Sequence, residues 1–153
     1  MKKPLVPAVL SVALLLSLAG CTNTAAAPAP SAMPDGTYTA EMDDASAEAA
    51  YGWRDRLVVE YKDGALVSAV FDSYDADGNK KSETTPETYP MDPAPADWIP
   101  ELSDNILKAG GTAEIDGVTG ATIASNNARA MMQAILDSGV AGETVVVSEP
   151  TAG

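Results

Sequence analysis

Histidine is absent from all 153 residues, and Cys21 is the only cysteine. Without histidine the chain lacks the usual general base and the commonest metal ligand. A Ser–His hydrolase triad and a histidine zinc site are therefore excluded on residue supply alone. A lone cysteine rules out internal disulfides and thiolate clusters. Basic residues are scarce as well: nine Lys and Arg stand against 22 Asp and Glu, a formal net charge of −13. Such a body repels phosphate backbones and anionic headgroups, so no nucleic-acid partner is expected. Aromatics make up only 5% of the chain, with a single phenylalanine, so Tyr51, Trp53 and Trp98 each merit separate weighing.

The one long apolar run, Leu5 to Leu18, follows Lys2 and Lys3 and ends in Leu18-Ala19-Gly20-Cys21. A basic start, a short apolar centre and small residues before a cut describe a secretory signal, too short for a comfortable membrane span. The Leu-Ala-Gly-Cys ending resembles the bacterial lipobox, which implies lipidation of Cys21 and cleavage just before it. Acyl chains on Cys21 would hold the mature protein at a membrane surface. Removing Lys2 and Lys3 with the signal makes the mature chain two units more acidic still.

Residues 1–20 thus read as signal peptide, and 21–34 as the lipidated cysteine with a linker. Thr22 to Pro34 is rich in Ala, Pro, Ser and Thr, a composition that cannot bury a core. The folded part begins at Asp35-Gly36 and runs to about residue 140, with 141–153 as a short strand and tail. Four Asp-Gly dipeptides, at Asp35, Asp63, Asp77 and Asp116, mark turns. Thr37 to Met42 reads as a strand. Arg56 to Lys62 alternates, with Leu57, Val59 and Tyr61 on one face, and Asp63-Gly64 turns it into a partner strand, Ala65 to Tyr74. On that partner Val67, Ala69 and Phe71 share a face. The acid-rich stretch Glu41 to Glu48 reads as a loop or solvated face, and Thr84 to Pro95 as a proline-bearing loop.

A helix is expected over Asp97 to Ala109, with Trp98, Leu102, Ile106 and Leu107 inward and Gly110-Gly111 ending it. Thr112 to Ile115 suggests a brief strand. A second helix is expected over Asn126 to Asp137, capped by Ser125 and stopped by Gly139. Thr144 to Val147 is β-prone. Hairpins followed by helices indicate an α+β domain, a small antiparallel sheet with two helices packed on it.

Between the two helices stands Asp116-Gly117-Val118-Thr119-Gly120-Ala121-Thr122-Ile123-Ala124-Ser125. This decapeptide resembles the flavinylation site of the FMN-binding domain family. In that family the last threonine of a Ser/Thr-Gly-Ala-Thr tetrad carries FMN covalently. On this chain the tetrad is Thr119, Gly120, Ala121 and Thr122, preceded by the acidic Asp116. The resemblance implies a phosphoester between FMN and the Thr122 hydroxyl, made by a separate FMN transferase. It extends to Asp35-Gly36-Thr37-Tyr38, to Gly52-Trp53-Arg54-Asp55, to the hairpin Val58 to Val67 and to the loop Asp75 to Ser82. It is nearest to small extracellular lipoproteins that pass electrons outward from the cell membrane. The flavin subunits of sodium-pumping quinone reductases share the tetrad but not this compact layout. Two departures are Thr119, where serine is frequent, and Ala124, where a hydroxyl residue is common.

Local chemistry is compatible with that expectation. Small residues at Gly120 and Ala121 let a modifying enzyme approach Thr122, and a helix N-terminus favours a phosphodiester. The bland alternative is an ordinary small-residue turn before an amphipathic helix. Tyr51, Trp53 and Trp98 are candidates to stack on a flavin ring, with core packing as the competing role, and Met91 could cover a ring edge. Asp75, Asp77 and Gly78 match part of a calcium loop, but Ser73 and Thr84 occupy its first and twelfth positions, which favours a solvated turn. No nucleophile–base pair can be assembled, so the resemblance implies a redox carrier rather than a stand-alone enzyme. The expected protein is lipid-anchored on the extracytoplasmic face of the cell membrane, taking electrons from a membrane-bound donor and passing them to an extracytoplasmic acceptor. An unflavinylated ligand-binding or surface-antigen lipoprotein of the same fold is the other reading.

Overall fold

The structure, a computed structural model, describes residues 33–150. The signal peptide, Cys21 and nearly all of the linker lie outside the described residues. Strand β1 (Gly36–Met42) leads into a short helix α1 (Asp44–Ala49), then β2 (Arg54–Lys62) and β3 (Ala65–Tyr74). A single 3-10 turn at Lys81–Glu83 precedes helices α2 (Pro95–Lys108) and α3 (Thr122–Ser138), and β4 (Thr144–Val147) closes the chain. The sheet order is β3-β2-β1-β4. Helix α2 lies against β3, and α3 against β1, β2 and β4.

Alternation sets the buried face. Tyr38, Ala40 and Met42 of β1 point into the core, as do Leu57, Val59 and Tyr61 of β2. Period-two side chains put every second residue on the helix-covered side and leave the others to solvent. From α2 come Trp98, Ile99, Leu102 and Ile106, and from α3 Ala128, Met131, Met132 and Ile135. Fully buried Leu57 is paired with Phe71 across β2 and β3. Truncating it to alanine would cost about 2–5 kcal/mol in lost burial and cavity.

Several expectations need correction, each for a physical reason. The sheet is mixed: β1 pairs antiparallel with β2 but parallel with β4, in register Thr39↔Thr144. Helix α3 returns the chain to the end at which β1 starts, where the Gly142 amide donates to Thr37 O at 2.9 Å, so β4 enters in the same direction as β1. Among the described residues three α-helices form rather than two. The acidic stretch Glu41 to Glu48 is not a loop: it ends β1 and builds α1, because Asp43 caps the helix by accepting from the Ser46 amide at 2.8 Å. Val67 is exposed, since a register shift at Glu60/Tyr61 pairs Tyr61 with Leu66 and turns Leu66 toward the core instead. Leu107 is exposed too, and Ile99 takes the inward position on α2. Thr112 to Ile115 forms no strand. The expected helix over Asn126 to Asp137 begins earlier, at Thr122, for a reason that lies in the loop before it.

Candidate functional site

The segment from Gly110 to Ala121 carries no regular structure, yet hydrogen bonds fasten it on both sides. Asn105 Nδ2, on α2, donates to Asp116 O at 3.2 Å. Arg129 Nε, on α3, donates to Ile115 O at 2.8 Å. Ile115 and Val118 are buried and anchor the loop in the core. Ser125 does not cap α3 as expected. Its hydroxyl accepts from the Val118 amide at 3.0 Å and donates to Ala121 O at 2.8 Å. Its own amide already donates to Ala121 O, so helical bonding starts four residues earlier than expected, with Ala121 in the cap position. The serine thus closes the loop rather than starting the helix.

That geometry defines the tetrad. Thr119 and Gly120 are exposed and Ala121 is buried. Gly120 has φ +84°, and a Cβ there would lie 2.4 Å from Pro93 Cδ. Only glycine meets both demands, a left-handed backbone and contact with the Pro93 ring. Ala121 precedes α3 without any side-chain cap, and Thr122 is the first helical residue, exposed. The first amides of α3 therefore have no side-chain acceptor. Asp116 is exposed and contributes its backbone carbonyl, not its carboxylate, to the clasp.

Thr122, Ile123 and Ala124 form one side of a cavity of about 410 Å³. Ala49, Ala50 and Tyr51 at the end of α1 form another, and Lys81, Tyr89 and Met91 a third. Trp98, Asp55 and Asn127 line it from the core side. The volume falls in the usual range for small-molecule sites. Tyr51 is 93% exposed and held at φ +60°, a conformation that a tyrosine seldom adopts. Lys81 Nζ sits 4.7 Å from the Tyr89 ring centre and 5.5 Å from that of Trp53, and the two rings meet edge to face at 6.0 Å. Cation and rings hold one another in place at the cavity wall.

Of the expected aromatic contacts, Tyr51 and Trp98 reach the cavity, and Met91 does too. Trp98 also serves the core, 6.3 Å from Phe71. Trp53 is not in the cavity wall and braces Tyr89 and Lys81 instead. The tetrad residues Gly120, Ala121 and Thr122 line the cavity, whereas Thr119 lies on a separate shallow depression beside Pro93 and Trp98. Asp116 lines neither. Asp75 is bound up in its own turn, accepting from the Asp77 and Asn79 amides and from Asn79 Nδ2 at 2.8–3.0 Å. The Asn79 side chain, foremost among these, holds that carboxyl below its ordinary value. Among the described residues no group of three or more acidic, His or Cys side chains is poised for a metal.

Comparison with known proteins assigns the family. Over 117 residues the chain is 33% identical to the 15 kDa lipoprotein of Treponema pallidum, an alignment spanning 74% of this chain and 81% of that protein. The chain belongs to this lipoprotein family. No family model matches it. Among solved structures, the crystal structure of the CPE2226 protein from Clostridium perfringens superposes with a TM-score of 0.64 at 24% identity, covering 74% of this chain and 96% of that one. This second likeness establishes a shared fold alone. The lipoprotein's α+β body therefore stands on a related architecture seen experimentally.

Among the cavity residues that escaped sequence reasoning are Asp55, Lys81, Tyr89, Asn127 and Glu149. Two carried a readable signal. Asp55 occupies the inward phase of the Leu57, Val59, Tyr61 alternation, an acid where the pattern demands an apolar residue. Asn127 falls on the apolar face of α3, four residues before Met131.

Proposed function

We propose that this lipoprotein is an extracytoplasmic redox carrier that bears FMN joined through its phosphate to Thr122 Oγ. It passes electrons from a membrane-bound oxidoreductase to an external acceptor. The observation that carries the reading is the position of Thr122: exposed, on the uncapped first turn of α3, at the edge of a cavity walled by Tyr51, Tyr89 and Trp98. A transferase needs an accessible hydroxyl, and an anionic ester gains from free helix amides. Gly120, wedged against Pro93, keeps bulk away from that hydroxyl.

Attached FMN would supply one- and two-electron transfer through its ring. The chain's own residues have simpler tasks. The first-turn amides of α3, Ile123 and Ala124 among them, would hold the anionic ester. Lys81 brings a positive charge to the wall of an otherwise acidic protein, opposite in sign to a reduced, anionic ring. Tyr51 and Tyr89 offer flat faces, and Trp98 an apolar base. A covalent link also keeps the cofactor from being lost outside the cell.

One observation favours a second reading: the relative from Treponema pallidum is named only as a 15 kDa lipoprotein. On that reading the cavity serves a small ligand without flavinylation. Intact mass of the mature protein, purified from a host with a competent transferase, separates the two. The proposal expects the added mass of FMN and flavin fluorescence that survives denaturing electrophoresis. A colourless protein of unmodified mass at Thr122 sinks it and leaves the ligand-binding lipoprotein.

A further inference from the structure

Two buried polar atoms in the cavity wall have no partner among the described residues: Asn127 Oδ1 and Trp98 Nε1. Asn127 is 5% exposed and Trp98 2%. Burying such groups without a partner is costly, and native folds seldom do so unless something else uses them. The orientation of the Asn127 amide is dictated by its surroundings. Its nitrogen donates to Asp55 Oδ2 at 2.9 Å, because a carboxylate oxygen can only accept. Asp55 Oδ1 is itself occupied by Ser73 Oγ at 2.5 Å. The Ser73 amide donates to Asp72 Oδ1 at 2.8 Å, and Ser82 Oγ donates to Asp72 Oδ2 at 2.6 Å. This polar chain leaves Asn127 Oδ1 as an acceptor, and Trp98 Nε1 is an unpartnered donor on another residue lining the same cavity.

We propose that Asn127 Oδ1 and Trp98 Nε1 recognise a planar heterocycle presenting an N–H donor beside a carbonyl acceptor, the imide edge of a pyrimidine-type ring. Asp55 is a positioning residue that fixes the Asn127 amide. The proposal deepens the flavin reading, since the isoalloxazine carries such an edge, but it does not need the bond to Thr122. Both atoms are shielded from solvent, so a ring reaches them by displacing wall side chains. Met91, unbranched and half-buried, has the freest torsions there.

The mature Thr122→Val chain, which offers no hydroxyl for loading, is titrated calorimetrically with lumiflavin and with 3-methyllumiflavin, which lacks the imide N–H. Lumiflavin should bind, and the methylated ring should bind about ten-fold more weakly, the size of one buried hydrogen bond. Adding Asn127→Leu should abolish that discrimination. Trp98→Phe should weaken both rings about ten-fold while the ratio persists, and it carries the test if the leucine variant does not fold. Asp55→Asn should reduce the ratio, which a merely structural residue would leave alone while lowering thermal stability. The inference is overturned by equal affinity for the two rings, by failure of lumiflavin to bind, or by unchanged behaviour in both Asn127→Leu and Trp98→Phe. Discrimination in a protein whose native form carries no flavin would sink the covalent reading and keep this one. A flavinylated native protein whose Thr122→Val form lacks discrimination does the reverse.

Discussion

At Thr122 a single oxygen decides between two readings of the protein. Thr122→Val keeps the β-branched shape and removes only the hydroxyl. It should fold with unchanged thermal stability within about 0.5 kcal/mol, as an exposed site allows, and should carry no flavin through denaturing electrophoresis. Flavin retained in that variant would put the attachment elsewhere. Asp116→Ala should also leave the fold intact, because Asn105 holds the Asp116 carbonyl rather than its side chain. If the acid serves the transferase, this variant loads poorly; normal loading would reduce Asp116 to turn chemistry. Gly120→Ala behaves differently. Its left-handed backbone and the 2.4 Å approach to Pro93 Cδ should together cost about 2–5 kcal/mol in strain and overpacking, measurable by denaturant unfolding. A turn at Gly120 was legible in the sequence because its left-handed backbone is a local demand, whereas the Pro93 contact that also requires glycine was not. Asp55 and Asn127 each broke an apolar pattern, but their pairing was not legible, since they meet only across 72 positions.

Among the elements, α3 and α1 show how short polar side chains decide where helices start. Ser125 looked like a cap because serine before an apolar-periodic run is the usual signal. Instead it bonds back to Val118 and Ala121 and lets α3 begin at Thr122. That shift brings Thr122 onto the helix itself. Ser125→Ala leaves the Val118 amide buried without its acceptor, and should cost about 1–3 kcal/mol in thermal or denaturant unfolding. It should also loosen the loop that presents Thr122. The cap of α1 gives a pH test. Asp43 accepts from Ser148 Oγ and from the Ser46 hydroxyl and amide. These bonds, that from Ser148 foremost, lower its pKa from 3.8 to about 2. A depressed carboxyl contributes stability that is present above pH 3.8 and lost as the pH falls through about 2. The Ser46 and Ser148 amide resonances should therefore titrate with a midpoint near 2, and Asp43→Asn should abolish that transition. A midpoint near 4 would mean that the tie between α1 and the end of β4 does not hold in solution.

For the molecule as a whole, the hairpin and the helix-on-sheet layering followed from alternation and turn chemistry, whereas the mixed sheet did not. Pairing Thr39 with Thr144 depends on the path of α3, and no local pattern encodes the direction in which a four-residue strand will enter. Membership of a lipoprotein family gives weight to the other end of the chain, where Leu18-Ala19-Gly20-Cys21 lies outside the described residues. Among the described residues no helix is long and apolar enough to cross a membrane; the lipobox resemblance makes Cys21 the proposed point of attachment. Net charge of −13 works against adsorption to anionic headgroups, and the body should depend on acyl chains for its place at the membrane. Cys21→Ser should therefore abolish acyl mass and shift the protein from the membrane to the soluble fraction, with little dependence on salt. The folded part should keep its unfolding midpoint, because the substitution lies well before β1. A variant that stays in the membrane fraction with its signal uncut would make the run from Leu5 to Leu18 an anchor in its own right. Release of wild type without acyl mass would remove the lipid altogether. Only the expected result is compatible with the proposed carrier, which needs a lipid anchor to stay at a high local concentration near a membrane-bound donor.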